Sequence, residues 1–169
     1  CPEEKIEVIW NGIDLSDHQF NTKEGLTNNL VTIISSDVPM KNLKTIIKAV
    51  ALARNDVPDI KLTIIGDLRE ENEKLIKNLD LQRNIEFKNK LSRLDLIKTL
   101  NNSDIGISGS LYEGFGFPLV EMISTGLPVI TSNKGSLPEL SGDAGLIFEA
   151  NSSSDLAEKI KKLINQNDL

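Results

Sequence analysis

The residues of this sequence best suited to chemistry lie between Ser110 and Glu121, in the run SLYEGFGFPLVE. Two carboxylates, Glu113 and Glu121, stand at either end of a glycine-rich turn, Glu113-Gly114-Phe115-Gly116-Phe117. The turn follows an apolar strand candidate containing Ile105 and Ile107. It leads into Pro118, whose missing N–H is no loss at the start of a helix. A strand, a glycine turn and a helix N-terminus together make a site for an anion. Glycines admit a ligand close to the backbone, and the unpaired N–H groups of a first helical turn carry partial positive charge toward it.

Something must hold that turn in place, and the spacing of apolar residues says what. Leu30 to Ile34, Leu62 to Ile65, Ile85 to Phe87, Ile105 to Ser108, Val129 to Thr131 and Leu146 to Phe148 read as short strands. Ile6 to Trp10 reads as another, ending in the turn dipeptide Asn11-Gly12. Between the strands the apolar period lengthens to that of a helix. Lys41 opens a helix with Leu43, Ile46, Ile47 and Val50 on one face, and Glu70 to Leu79 carries Leu75, Ile76 and Leu79. Ser92, with Asp95 three residues on, resembles a capping box ahead of Leu96, Ile97 and Leu100. The helix from Pro118 stops at Gly126-Leu127-Pro128. Residues 132 to 145 read as a loop, and Ser154 or its neighbour caps a last helix with Leu156, Ile160, Leu163 and Ile164. This alternation predicts one α/β domain over residues 1–169, a doubly wound parallel sheet of Rossmann-like kind. Ligands of such sheets sit beyond the C-terminal ends of the strands, where the loops at 35 to 41, 66 to 70 and 109 to 117 fall.

Composition narrows the partners. The chain has 169 residues, enough for one α/β domain with a real core, and no apolar run approaches the ~18 residues that suggest a membrane span. A net charge of −6, with no lysine stripe interleaved with aromatics, argues against nucleic acid. The single cysteine, Cys1, excludes an internal disulfide and, with one histidine, His18, leaves little for a soft-metal site. The chain begins without a methionine and runs almost at once into its first strand candidate, so it is expected to be an excised piece of something longer.

Asn11-Gly12-Ile13-Asp14, Lys41-Asn42 and Ile64-Ile65-Gly66-Asp67 precede the E-x7-E pattern from Glu113 to Glu121. Gly126-Leu127-Pro128-Val129-Ile130, Leu137-Pro138-Glu139 and Gly142-Asp143-Ala144-Gly145 follow it. In this order they resemble the C-terminal, nucleotide-sugar-binding domain of retaining GT-B glycosyltransferases of family 4, the group 1 transferases. The resemblance covers nearly the whole chain. It implies a donor-binding domain whose acceptor half is a separate N-terminal domain, so the isolated chain is expected to bind nucleotide sugar weakly and to transfer little.

The resemblance also implies roles. Glu113 is the catalytic carboxylate, on hydroxyls of the transferred sugar; the amides around Gly114, Phe115, Gly116 and Phe117 bind sugar and diphosphate; Glu121 meets the ribose hydroxyls. A carboxylate accepts hydroxyl hydrogen bonds and favours an oxocarbenium-like sugar, whereas amides favour a departing diphosphate. Lys41 matches the phosphate-binding lysine. Five positions before it many members carry an arginine where this chain has Ser36, which donates one hydrogen bond but brings no charge. Lys134, Lys90 or a cation from the missing half are the candidates to compensate. In Phe87-Lys88-Asn89-Lys90-Leu91 the family usually has a glycine at the position of Asn89, and this loop, with Leu91, commonly meets the nucleobase. There is no D-x-D triplet, so metal independence is expected, with no cofactor besides the nucleoside-diphosphate sugar as substrate. Transfer to a glycan or lipid-linked acceptor is implied. The expected setting is bacterial surface polysaccharide (O-antigen or capsule) synthesis in the cytoplasm, at the inner face of the membrane, with membrane contact only through the missing half. A non-catalytic nucleotide-sugar sensor or scaffold of the same fold is the competing reading, and Ser36 is what favours it.

Overall fold

Six parallel strands form one sheet in the computed structural model, which describes residues 5, 7, 9, 11–16, 25, 27–35 and 37–165. They are Asn29–Ile33 (β1), Lys61–Ile65 (β2), Ile85–Lys88 (β3), Ile105–Ser108 (β4), Val129–Ser132 (β5) and Gly145–Phe148 (β6). The order across the sheet is β3-β2-β1-β4-β5-β6, every neighbouring pair parallel. Helices Leu43–Ala53 (α1), Glu70–Asn78 (α2), Arg93–Asn101 (α3), Phe117–Ser124 (α4), Leu137–Ser141 (α5) and Ser153–Asn165 (α6) connect or follow the strands. The doubly wound α/β class is as the alternation of patterns requires.

The side-chain period of two in a strand explains the two-sided core. Leu30, Leu62, Ile64, Ile107 and Ile130 enter one cluster, which α1 and α6 complete with Ile46, Ile47, Val50, Leu156 and Ile160. Val31, Ile65 and Val129 point the other way, to Leu100 of α3, Leu119 and Met122 of α4 and Leu137 of α5. Because both faces are covered, β4 and β5 are buried along their whole length, as the strands of parallel sheets are.

Several boundaries differ from the sequence expectation. Lys41 does not open α1. It ends a short 3-10 turn, Pro39–Lys41, and Asn42, with φ +56°, turns the chain before the helix begins at Leu43. Asparagine tolerates this left-handed conformation better than other non-glycine residues. Helix α4 starts at Phe117, with Pro118 second. The stretch from 132 to 145 is not all loop: it contains α5 and a 3-10 turn, Gly142–Ala144. These elements are too short for a helical period to show in sequence. The hydroxyl that receives the Asp155 N–H at the start of α6 is that of Ser152. Ser92 caps α3 as expected, accepting from the Asp95 N–H while donating to its carboxylate. Ile6, Val8 and Trp10 of the first strand candidate, with Cys1, His18 and Ser36, lie outside the described residues. Among the described residues no helix is long and apolar enough to cross a membrane.

Candidate functional site

Strand order reverses between β1 and β4. Their outgoing loops therefore leave in opposite directions at the C-terminal edge of the sheet, where doubly wound folds usually hold their ligand. The loop after β1 carries Lys41 and the loop after β4 carries the glycine turn. Three contacts tie them together, and a fourth packs the second loop on α1. The Leu111 N–H donates to the Met40 carbonyl at 2.7 Å, and Asn42 Nδ2 donates to the Gly109 carbonyl at 3.0 Å. Lys41 Nζ reaches Glu113 Oε1 at 2.5 Å, and Gly109 sits against Ile46 so closely that a Cβ there would lie 3.1 Å from its side chain.

The β1 loop is itself fixed from the other side. Asp37, buried, accepts from the Arg69 N–H at 2.9 Å and from Asn72 Nδ2 at 2.9 and 2.8 Å. A buried carboxylate is tolerated there because its oxygens are satisfied at the positive end of α2. This is why Asn72, a polar position in a charged helix, is buried.

Glu113 is the centre of the arrangement. Its Oε1 receives both Lys41 Nζ and the Ser110 hydroxyl, the latter at 2.8 Å, while Oε2 has no partner among the described residues. The side chains of Lys41 and Glu113 are each 16% exposed, so the pair is largely withdrawn from water yet reachable. Behind it, the Ser132 hydroxyl donates to the Ser110 carbonyl at 2.5 Å.

The loop after β5 supports the glycine turn from beneath. Ser136 Oγ donates to the Phe115 carbonyl at 2.6 Å. Gly135 lies at φ +59°, and a Cβ added to it would fall 2.9 Å from the Glu113 N and O atoms, so only glycine lets this backbone approach the turn. Gly116, at φ +102°, turns the chain into α4 as its N-cap. The amides of Gly114, Phe115, Gly116 and Phe117 find no acceptor among the described residues. The space in front of Gly114 is open, with nothing within 4 Å of an added Cβ. Phe115 and Phe117 meet edge to face, with ring centroids 4.9 Å apart, and Phe117 is half exposed. Four adjacent N–H groups at a helix start, without an acceptor among the described residues, give the turn partial positive charge in an otherwise acidic protein.

The other expected site residues are placed as follows. Glu121 lies half-buried on α4, one turn beyond the glycine turn. Leu91 is half-buried against the cluster of Val31, Leu100 and Leu119. Lys90 and Lys134 are exposed at their loops. Asn89 Nδ2 donates to Asp67 Oδ1, which joins the loops after β2 and β3, and the left-handed residue there is Lys90, with φ +51°. A groove of about 610 Å³ opens beside them between α2 and β3, lined by Gly66, Asp67, Ile76, Phe87 and Asn89. Another, of about 470 Å³, lies toward the strand starts among Lys61, Thr63, Asn84 and Glu86. Among the described residues no three His, Cys, Asp or Glu side chains converge.

Sequence reading set Ser110 at the head of the run without giving it a role, missed Ser132, Gly135 and Ser136 as parts of this site, and missed what Asn42 does. Small residues just past the ends of β4 and β5 were the available signal. A serine at a strand end is common, and only its partners distinguish these.

Comparison with known proteins places the chain. The family described as Glycosyl transferases group 1 matches residues 16–169. The MMP alpha-(1->4)-mannosyltransferase of Mycolicibacterium hassiacum is 33% identical over 145 residues, 84% of this chain and 34% of the relative. The GDP-mannose-dependent monoacylated alpha-(1-6)-phosphatidylinositol monomannoside mannosyltransferase of Corynebacterium glutamicum is 30% identical over 147 residues, 82% of this chain and 39% of the relative. A crystal structure of a mutant TarM from S. aureus, in complex with Fondaparinux, alpha-GlcNAc-glycerol and UDP, superposes with a TM-score of 0.81 at 26% identity, over 98% of this chain and 34% of that one. The chain thus spans little more than a third of the length of these curated relatives. With the parallel sheet and its divergent loops, these matches show that the chain belongs to the group 1 glycosyl transferases.

Proposed function

We propose that the chain is the donor-binding half of a retaining, metal-independent glycosyltransferase that moves a hexose-type sugar from a nucleoside diphosphate to a glycan or lipid-linked acceptor. The observation that carries this reading is the meeting of Lys41 with Glu113 at the switch point of the sheet, beside four amides without an acceptor among the described residues. A nucleotide sugar has matching parts. Its diphosphate takes the Gly114 to Phe117 amides and Lys41, its sugar hydroxyls take Oε2 of Glu113, and its ribose hydroxyls take Glu121.

The same groups favour the transition state. As the bond to the diphosphate breaks, negative charge grows on the leaving oxygen and positive charge on the sugar ring. Lys41 and the amides face the first, and the Glu113 carboxylate faces the second. Interactions that strengthen as charge develops lower the barrier instead of only tightening binding. The acceptor half would cover this site from a separate domain, consistent with the fraction of its relatives that this chain spans. Work at the inner face of a membrane, on acceptors of surface polysaccharide, completes the proposal.

Two relatives are named as mannosyltransferases and a structural neighbour holds UDP, so GDP-mannose and UDP-linked sugars are the first probes. Titration calorimetry of this chain against GDP, UDP, ADP and TDP, with and without sugars, is expected to find one base bound. Lys41→Met should weaken that nucleoside diphosphate about tenfold, the usual order for a charge-assisted contact. Binding of none of them, or full affinity in Lys41→Met, would overturn the assignment.

A further inference from the structure

We propose that Ser110 is a positioning residue for Glu113: its hydroxyl holds Oε1 so that Oε2 faces the sugar, and it keeps that hold when a diphosphate draws Lys41 away. The proposal rests on the donor-site reading above and assigns a role that the motif residues alone do not supply.

The geometry makes Ser110 unusually well fixed for this task. Its side chain is buried, and its backbone is held on both sides and at its own carbonyl. Asn42 Nδ2 binds the Gly109 carbonyl, Ser132 Oγ binds the Ser110 carbonyl, and the Leu111 N–H binds Met40. Three strands' worth of loop thus locate one Oγ, which stands 2.8 Å from Glu113 Oε1. A carboxylate is an acceptor only, so the serine hydroxyl must be the donor.

Lys41 cannot do this work alone. It shares Oε1 with Ser110 in the ligand-free arrangement, but a diphosphate brings more negative charge than one carboxylate and competes for the same ammonium. If Lys41 were the only anchor, binding the diphosphate would release Glu113 at the moment it is needed. A glutamate side chain has several rotatable bonds and regains rotamer freedom when unpinned. Ser110 is neutral and buried, so a phosphate does not compete for it in the same way. The consequence is directional: one carboxylate oxygen is dedicated to the protein and the other to the ligand.

The test compares each sugar nucleotide with its own nucleoside diphosphate, GDP-mannose with GDP and UDP-GlcNAc with UDP, by titration calorimetry of this chain. A structural role for Ser110 would move both members of a pair together. Positioning of Glu113 predicts that Ser110→Ala weakens the sugar nucleotide about tenfold and leaves the nucleoside diphosphate unchanged. Ser110→Thr, which keeps the hydroxyl, should recover most of the loss. Equal weakening of both ligands, or no change in either while the unmodified chain still prefers the sugar nucleotide, would overturn the proposal alone. An unmodified chain that binds both members equally, or neither, would overturn the sugar role of Glu113 and this inference with it. Should Ser110→Ala not fold, Ser110→Cys, close in volume and a weak donor, is read by the same outcomes.

Discussion

Lys41 and Lys161 each meet a carboxylate from a distant part of the chain, Lys41 on Glu113 at 2.5 Å and Lys161 on Asp56 at 3.0 Å, and Lys161 also meets Glu158 of its own helix at 2.7 Å. Their surroundings differ. Lys41 and Glu113 are 16% exposed each, among loops held by crossing hydrogen bonds, whereas Asp56 and Glu158 are 61% and 69% exposed beside the seam of α1 and α6. The seam owes its stability to apolar residues such as Ile46, Val50, Leu156 and Ile160, so its ion pair is an accessory. The site pair has lost much of its water, and neither charge is dispensable to the other. On the donor-site reading proposed above, Lys41 and Glu113 make a poor device for stability and a good one for exchange, since a ligand carrying both anionic oxygens and hydroxyls offers each partner a replacement.

The sharpest break in this comparison is Glu113→Gln in the two-domain enzyme proposed above. It keeps the shape of the side chain but removes the charge proposed to face the sugar. Transfer should fall by about 10² to 10³-fold, the scale of losing one such electrostatic group, with the fold retained. Unchanged transfer in a direct assay of product would overturn the catalytic role of Glu113. Next comes Gly135→Ala. Its Cβ would strike the Glu113 backbone at 2.9 Å from a left-handed conformation, so a loss of about 1–3 kcal/mol is expected in denaturant unfolding. Sugar-nucleotide affinity should fall with it, because the support of the turn is what moves.

The smallest effect belongs to Lys161→Met. Hydrogen bonds that Lys161 donates to Glu158, then to Asp56, raise its pKa above the ordinary 10.5. A raised lysine contributes its stability in full below the unfolded value and loses it as pH climbs through the folded one. Thermal midpoints of the variant and the parent should therefore lie close together at pH 7, and the gap between them should narrow above pH 10.5. A large midpoint drop at pH 7 would mean that the seam depends on its charge, against the comparison.

Strands and most helices were legible because the signals are local. The apolar run Leu30 to Ile34, the Ser92 cap and the Gly126-Leu127-Pro128 stop act through residues a few positions apart. The site was legible in part for the same reason: Glu113, the glycine turn and α4 are consecutive. Lys41 was found through resemblance, and its 3-10 turn was hidden because the left-handed Asn42 leaves no mark on apolar spacing. Helix α5 was hidden by its length.

Sequence by itself determined the alternation of strands and helices, the glycine turn at a helix start and the family to which these motifs are similar. The parallel order β3-β2-β1-β4-β5-β6, with its reversal between β1 and β4, was decided only in three dimensions. So was the meeting of Lys41 with a carboxylate 72 residues away, together with Ser110, which holds that carboxylate by one oxygen, and Ser132, which holds Ser110 by its carbonyl. The physical reason is the range of the forces involved. Propensity and capping are settled between chain neighbours, whereas a hydrogen bond of 2.5 to 3.0 Å between distant loops exists only once packing of the core has placed their backbones.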